Sequence, residues 1–262
     1  MMKNEKNLPI STEWLLDSIG QTGRGLISDV FMVYCPKTHS KGTGFLYKSG
    51  YVITNWHVIN DCSEKEIILI SNKGEEIKVL ELISDKDIDL AALKPEKKLQ
   101  GGLEIDNSSE IKPGVQISTW GHPLEYPGPA PLLSVGYISG FRDHYETKTS
   151  QMIKHIVVNG AFNPGNSGGP LFISGEKKVI GVVVSKHAPM NSFLNSALEA
   201  LSKTKGGFVY TATDGEGNKK EFMEAHLVAE LLKHQRKLTQ VMIGEAIDRS
   251  ELINFLKKNN IE

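Results

Sequence analysis

The most informative part of the sequence is Asn163-Pro164-Gly165-Asn166-Ser167-Gly168-Gly169-Pro170, in which three glycines surround a single serine. Glycines let the backbone turn tightly and aim several N–H groups into one small volume. Donors fixed where negative charge develops are what an oxyanion hole requires. A glycine-rich surface turn could have the same sequence. The tetrapeptide Ser167–Pro170 alone does not distinguish such a turn from an oxyanion hole.

A serine hydroxyl needs a base to become a useful nucleophile. Of the eight histidines, His57 stands out because it lies at the end of a predicted apolar strand that includes Tyr51–Thr54 and is preceded by a hairpin at Gly44-Phe45. The alternative is that His57 is a packed core histidine beside Trp56. Taken alone, its position does not exclude this alternative.

A third group must orient the imidazole and stabilise its charged form. Asp89 directly precedes the apolar run Leu90–Leu93, whereas Asp85 and Asp87 have the context of solvated loop acids. A carboxylate that enters a core needs a partner, and a histidine N–H can be that partner. The alternative for Asp89 is a strand-opening residue that faces water.

The rest of the chain predicts an all-β body with helical additions. Short apolar runs bounded by Gly, Pro, Asn, Asp or Ser recur from residue 26 to about 185, which indicates an antiparallel sandwich or barrel. Further on, apolar residues have helical spacing over Phe193–Leu201 and again over Phe222–Leu232. Between these two predicted helices lies a predicted hairpin, made of Phe208–Thr213 and Lys219–Phe222. A last helix is predicted at about Arg249–Lys258. Residues 1–25 form an N-terminal segment with a short helix capped by Ser11 or Thr12.

Composition excludes several classes of protein. The chain has 262 residues, with 30 Lys plus Arg against 31 Asp plus Glu, so its net charge of −1 argues against a nucleic-acid partner. No apolar run is long enough for a membrane span, and no apolar region follows the first residues as in a cleaved signal peptide. We therefore expect a cytoplasmic location. The two cysteines and the histidines lack metal-ligand spacing, so we expect neither metal nor cofactor.

The three candidate residues occur in the order His57, Asp89, Ser167, separated by 32 and 78 residues. This order is that of chymotrypsin-like enzymes. Five motifs resemble the trypsin-like serine proteases, and the most similar branch is the bacterial HtrA/Deg group: Thr43-Gly44-Phe45, Ile53–Val58, Asp89–Lys94, Gly121-His122-Pro123 and Asn163–Pro170. The motifs span about residues 26–185.

This resemblance implies two six-stranded antiparallel β-barrels within a protease domain over 26–262, the first over about 26–112 and the second over about 113–262. The active site would lie between them. His57 would be the general base and then the general acid, Asp89 would orient it, and Ser167 would attack the scissile carbonyl. The backbone N–H groups of Gly165, Asn166 and Ser167 would form the oxyanion hole.

The sequence departs from the family pattern in three places. Extracellular trypsin relatives pair a processed amino terminus with an Asp just before the nucleophile, but here Asn166 occupies that position, so we expect no such switch. HtrA proteins usually continue into a PDZ domain, and with the printed sequence ending at Glu262 we expect that module to be missing. Secreted relatives carry a disulfide beside the catalytic His, which Cys62 does not match, so we expect Cys35 and Cys62 to be reduced thiols, with a bridge as the other possibility.

The resemblance to the family also implies which residues would form the substrate pocket. Ala161, six residues before Ser167, would form its floor and offers no charge for Lys or Arg substrates. Phe162 would narrow the pocket, which favours a small or medium aliphatic residue. Val183, Val184 and Ser185 would form the opposite wall and pair with an extended substrate backbone.

The C-terminal third allows two alignments. We favour Met242–Ile247 as the last barrel strand, which makes about residues 187–238 an insertion that could gate the cleft or dock a regulatory protein partner. The alternative alignment takes Gly207–Thr211 as the last barrel strand. The alternative role for the insertion is that it only covers part of the surface. HtrA relatives often trimerise through N-terminal segments, so residues 8–20 could support an oligomer.

The sequence therefore predicts a serine endopeptidase that cleaves a polypeptide substrate through an acyl-enzyme, without metal or cofactor. The alternative from another class is a protease-fold binding or scaffold protein with little turnover. A third hypothesis is that the protein is an enzyme that stays latent until a partner orders the oxyanion loop.

Overall fold

The computed structural model describes residues 26–107, 110–124, 126–146, 151–160, 162–184, 192–213, 215, 217–238 and 243–261. The predicted N-terminal segment 1–25, its short helix and the proposed oligomer contacts of residues 8–20 lie outside this range. None of the helices in the described part of the chain is long and apolar enough to cross a membrane.

Twelve strands close into two antiparallel barrels of six strands each, so the predicted fold is confirmed. The first barrel has the order β1-β2-β3-β6-β5-β4 and consists of β1 Val30–Cys35, β2 Ser40–Leu46, β3 Val52–Thr54, β4 Ile68–Ile70, β5 Glu76–Asp85 and β6 Leu90–Pro95. The second has the order β10-β11-β14-β9-β8-β7 and consists of β7 Gln116–Gly121, β8 Leu132–Glu146, β9 Gln151–Gly160, β10 Pro170–Ile173, β11 Val179–Val184 and β14 Ile243–Asp248.

Strand β6 shows why some strands are apolar throughout rather than alternating. Ala91 and Leu93 belong to the cluster that fills the first barrel. Leu90 and Ala92 belong to a different cluster, which contains side chains from both barrels. Because successive residues of a strand point to opposite faces, β6 is buried on both sides. A continuous apolar run therefore places β6 at the seam between the barrels, and Asp89 directly precedes it.

The C-terminal helix completes the seam. Strand β14 pairs with β11 and with β9, which confirms Met242–Ile247 over Gly207–Thr211 as the strand that closes the second barrel. The last helix of the chain, Arg249–Lys258, follows at once and is capped by Asp248, whose side chain accepts the Ser250 N–H. Its residues Leu252, Phe255 and Leu256 join the cluster shared by the two barrels.

The described residues form two compact units, one within the bounds Met1–Lys186 and Met242–Glu262 and the other within His187–Val241. The second unit contains helix α1 Ser192–Lys203, strands β12 Val209–Thr213 and β13 Lys219–Met223, and helix α2 Glu224–Leu238; the terminal helix is therefore α3. The predicted hairpin and both predicted helices of this region are confirmed.

Cys35 and Cys62 form a disulfide, so the expectation of two reduced thiols is wrong. Cys35 is the last residue of β1, and Cys62 follows the turn after β3, where its N–H donates to Ile59 O at 3.1 Å. Both are buried in the cluster that fills the first barrel. The fold brings them within bonding reach, with a Cα–Cα distance of 6.5 Å, although 27 positions separate them in sequence.

Candidate active site

His57 lies in a single 3-10 turn, Trp56–Val58, that follows the buried strand β3 through Asn55. Val58 is buried at the end of this turn and fixes its packing, whereas the His57 side chain is 39% exposed. The turn therefore anchors the backbone of His57 while leaving part of the imidazole accessible to a substrate.

Asp89 contacts His57 with both carboxylate oxygens. Oδ1 accepts the backbone N–H of His57 at 2.9 Å, and Oδ2 lies 2.8 Å from Nδ1 of its ring. A carboxylate only accepts, so in the neutral ring Nδ1 carries the proton and Nε2 is left as the basic nitrogen. This is the orientation that a histidine base requires.

The backbone of Asp89 is held as firmly as its side chain. Its φ of +57° lies in the left-handed region, which non-glycine residues seldom adopt. The carbonyl of Asp89 accepts Trp56 N–H at 3.3 Å and the side-chain amide of Asn55 at 3.0 Å. Asn55 thus helps to set the Asp89–His57 pair, a role that the sequence analysis missed although Asn55 directly precedes Trp56-His57.

Residues Asn163–Asn166 form a type II β-turn. Asn166 N–H donates to Asn163 O at 3.0 Å, Pro164 occupies the second position, and Gly165 has a φ of +98° at the third. The Pro164 carbonyl accepts Leu124 N–H at 2.9 Å. In a trans peptide the N–H points opposite to the C=O, so Gly165 N–H points away from Leu124.

This turn corrects one predicted role. Asn166 N–H is occupied by Asn163 O, so Asn166 cannot contribute a backbone donor to an oxyanion hole. Among the described residues, Gly165 N–H has no backbone acceptor. A Cβ at Gly165 would lie 2.3 Å from His122 O, so only glycine fits.

Two contacts bring the Ser167 turn beside the His57 turn. Ser167 is 4% exposed, and its carbonyl accepts the N–H of Thr43 on β2 at 2.8 Å. A Cβ on the neighbouring Gly42 would lie 3.2 Å from Ser167 O and 2.6 Å from the side chain of Val58, the residue after His57. The structure therefore packs the backbone of Ser167 against the turn that carries His57.

His122 lies in the motif Gly121-His122-Pro123 and is the alternative to His57 as a catalytic base. It is fully buried, and burial lowers its pKa to about 3, which keeps the ring neutral. Its Nε2 lies 3.1 Å from Pro129 O and donates to that carbonyl in the neutral ring. The described part of the chain holds no cluster of three or more His, Cys, Asp or Glu side chains that could bind a metal.

Of the predicted pocket residues that the structure describes, Phe162 and Val183 lie in the barrel core and do not line a pocket. Phe162 and Val183 belong to the cluster that fills the second barrel, where Phe162 is 5% and Val183 is 0% exposed. A Cβ at Gly244 would lie 2.9 Å from the Phe162 ring, so the ring occupies the space that this glycine leaves open. Val184 is half-buried, and Ala161 and Ser185 lie outside the described residues.

Val183 cannot pair with substrate in the predicted way. Its N–H donates to Gly169 O at 2.9 Å, and its carbonyl accepts Gly168 N–H at 2.8 Å. Both backbone groups therefore hold the segment that follows Ser167. An added substrate strand could begin only at Val184 or beyond.

A family model described as "Trypsin-like peptidase domain" matches residues 42–182. Protease Do-like 1, chloroplastic, of Arabidopsis thaliana is 29% identical over 171 residues, which cover 64% of this chain and 38% of that protein. The "Probable periplasmic serine endoprotease DegP-like" of Hahella chejuensis is 33% identical over 170 residues, or 63% of this chain and 34% of that protein. The chain spans about a third of the length of such curated relatives.

Solved structures share the fold. The inactive form of the Rv3671c protease of M. tuberculosis superposes with a TM-score of 0.60 at 15% identity, covering 95% of this chain and 96% of that one. Its active form gives a TM-score of 0.55 at 19% identity, covering 68% and 77%. At these identities the likeness concerns the fold.

Proposed function

Because the chain belongs to the trypsin-like peptidase domain family, we propose that it is a serine endopeptidase that hydrolyses peptide bonds through an acyl-enzyme intermediate. The observation that carries this proposal is the Asp89–His57 pair at 2.8 Å, packed beside the Ser167 turn. Conventional turnover also needs an oxyanion site, and the Gly165 N–H left without a backbone acceptor among the described residues supports one.

The proposed steps assign one task to each group. Ser167 Oγ attacks the scissile carbonyl carbon while His57 Nε2 takes the hydroxyl proton. The N–H groups of Gly165 and Ser167 stabilise the tetrahedral oxyanion. His57 then gives its proton to the leaving amine, which breaks the C–N bond and leaves an acyl ester on Ser167. Water then gives a proton to His57 and attacks the ester carbonyl. As the bond from the acyl carbon to Ser167 Oγ breaks, His57 returns the proton to Oγ, and Asp89 stabilises the imidazolium in both halves.

The proposal is tested by the cleavage of an unfolded polypeptide with a quenched fluorescent label. The wild-type chain should cleave it, and Ser167→Ala should not. Ser174→Ala, the same change in the loop after β10, is the matched control and should keep wild-type activity. A folded wild-type chain no more active than Ser167→Ala would favour the scaffold alternative.

For specificity, we propose that cleavage follows small or medium aliphatic residues. Ala161 brings no charge to the expected pocket floor, so that floor offers no partner for the charge of a Lys or Arg side chain. Profiling with a peptide library whose residue before the cleaved bond is varied tests this. A strong preference for Lys or Arg would contradict it.

For regulation, we propose that residues 187–238 gate the site or dock a regulatory protein partner. Large apolar side chains of this region are exposed, among them Phe193 at 75%, Phe208 at 74% and Leu231 at 54%. Replacing residues 187–241 by a short Gly/Ser linker should change the rate at which a small fluorophosphonate labels Ser167. An unchanged rate would contradict gating.

For location, the cytoplasm stays a prediction from sequence, and the Cys35–Cys62 disulfide favours an oxidising compartment instead. One of the relatives carries the word periplasmic in its name. Quenching the cells with acid and then labelling the denatured protein with a maleimide would decide, because both cysteines are buried in the folded chain. Two reactive cysteines would support the cytoplasm, and none would support the oxidising compartment.

A further inference from the structure

Thr43 lies on β2 of the first barrel, yet its hydrogen bonds reach the turn that carries Ser167. The residue is fully buried. We propose that Thr43 is a positioning residue: its hydroxyl fixes the Gly165–Ser167 backbone so that the oxyanion donors face the reacting carbonyl. This inference rests on the proposed function and extends it to a residue outside the triad.

The hydroxyl of Thr43 makes two hydrogen bonds. It donates to Gly165 O at 2.7 Å and accepts His122 N–H at 2.9 Å. The peptide before Gly165 is held separately, because Leu124 N–H donates to Pro164 O at 2.9 Å. Glycine has more backbone freedom than any other residue, so both peptides that flank it must be held for its N–H to keep one direction. The peptide after Gly165 is held from both sides, because the Thr43 hydroxyl donates to Gly165 O while Asn166 N–H donates to Asn163 O.

The main chain of Thr43 holds the other donor residue. Its N–H donates to Ser167 O at 2.8 Å, and its carbonyl accepts the hydroxyl of Thr54 at 2.7 Å. Thr43 therefore binds the carbonyls of both residues whose N–H groups form the proposed oxyanion hole. Thr54 ends β3, three residues before His57. The same contacts thus align donors on the second barrel with the base on the first.

Three variants separate positioning from simple packing. Thr43→Val keeps the shape of the side chain but removes its hydroxyl, and Thr43→Ser keeps the hydroxyl. Thr119→Val is the matched control, because Thr119 is also fully buried on a strand but its hydroxyl has no hydrogen-bond partner among the described atoms. The melting temperature of each variant shows whether the fold is retained.

In peptide cleavage, Thr43→Val should lower kcat by about 10- to 100-fold, less than the loss of about 10²–10³ that follows removal of an oxyanion donor itself. KM should stay within about twofold, because the substrate-binding groups are untouched. Thr43→Ser and Thr119→Val should stay near wild type. An unchanged kcat in Thr43→Val, or a rise in KM that accounts for the whole loss, would overturn the proposal.

A second readout does not depend on turnover, so failure of the proposed function would not leave the Thr43 proposal unresolved. In the Ser167→Ala background, hydrogen exchange of the Asn166 amide reports the turn bond to Asn163 O. Thr43→Val should accelerate this exchange at least about tenfold, while Thr43→Ser and Thr119→Val leave it unchanged. Equal exchange in all variants would overturn the proposal, whatever the activity of the wild type.

Discussion

Asp89 binds His57 twice, through the backbone N–H at 2.9 Å and through ring Nδ1 at 2.8 Å. The first bond fixes the position of the residue, and the second fixes the ring and its tautomer. Since the Asp89 backbone is itself held by Asn55 and Trp56, the orientation of the imidazole is set before any substrate binds. Such preorganisation is what a general base needs.

Asp89→Asn should lower kcat by about 10³- to 10⁴-fold, because an amide can donate to Nδ1 and so favour the wrong tautomer. Folding should be largely preserved, since the amide has nearly the same shape. Asp87→Asn, a nearby loop residue, is the control and should keep wild-type kcat. Initial rates of peptide cleavage measure both variants, and a loss of less than about tenfold in Asp89→Asn would contradict the assigned role.

Gly168→Ala should lower activity on the order of 100-fold, since even small misplacement of a reacting group has effects of this size. The new Cβ would lie 2.1 Å from Thr43 O and 2.3 Å from Thr54 Oγ1, so the turn after Ser167 must shift. Gly175→Ala provides a matched control. Gly175 has a φ of +87°, close to the +85° of Gly168, but no atom lies within 4 Å of its added Cβ.

Gly175→Ala should therefore destabilise the fold by about 1–2 kcal/mol through backbone strain alone and leave kcat unchanged. Peptide cleavage and urea unfolding of the two variants give the comparison. If both glycine variants lost the same activity, strain rather than the Thr43 contact would be the cause.

Removal of the disulfide by the double change Cys35→Ala and Cys62→Ala should lower the free energy of unfolding by about 3 kcal/mol. The bridge closes a loop of 27 positions that includes His57, so its loss frees the unfolded chain. Urea unfolding with and without reductant measures this. The wild type should become less stable in reductant and the variant should not respond; a wild type insensitive to reductant, despite its complete reduction, would contradict a stabilising bridge.

The stability of the protein should fall as the pH rises through about 6 because of Asp29. Burial raises the pKa of this carboxyl to about 6, against the opposing effect of a hydrogen bond from the Gly102 backbone. The folded state binds this proton more tightly than the unfolded chain, so the contribution to stability is complete below about pH 4 and lost above about pH 6.

Asp29→Asn removes the buried charge and should raise the free energy of unfolding by about 1–2 kcal/mol at pH 8. Near pH 4 the variant and the wild type should be equally stable, because the wild-type carboxyl is then neutral. Urea unfolding at the two pH values measures the difference. A variant that is less stable than wild type at pH 8 would contradict the assignment.

The residues of the site could be found from sequence where local context determines them. His57 follows a buried strand, Asp89 directly precedes one, and Ser167 lies among glycines, so the local sequence around each residue indicates its role. The same holds for the barrels, because apolar runs and turn residues alternate along the chain. Strand β14 was identified for the same reason.

Features that depend on packing between residues far apart in the chain could not be predicted from the sequence. The Cys35–Cys62 bridge depends on where β1 ends relative to the turn after His57, which no spacing reveals. Phe162 follows a family pocket position, but the missing side chain of Gly244 gives its ring a place in the core. The direction of the Asn166 N–H depends on turn type, although Pro164-Gly165 is a type II signature that could have indicated it.

The activation of Ser167 by His57 is tested most directly by the mass-spectrometric mapping of a fluorophosphonate adduct on the folded protein. One adduct should form on Ser167 Oγ, and it should form orders of magnitude more slowly in His57→Ala because the base is then missing. No adduct on Ser167 in the folded wild-type chain, or labelling at the same rate in His57→Ala, would contradict this activation.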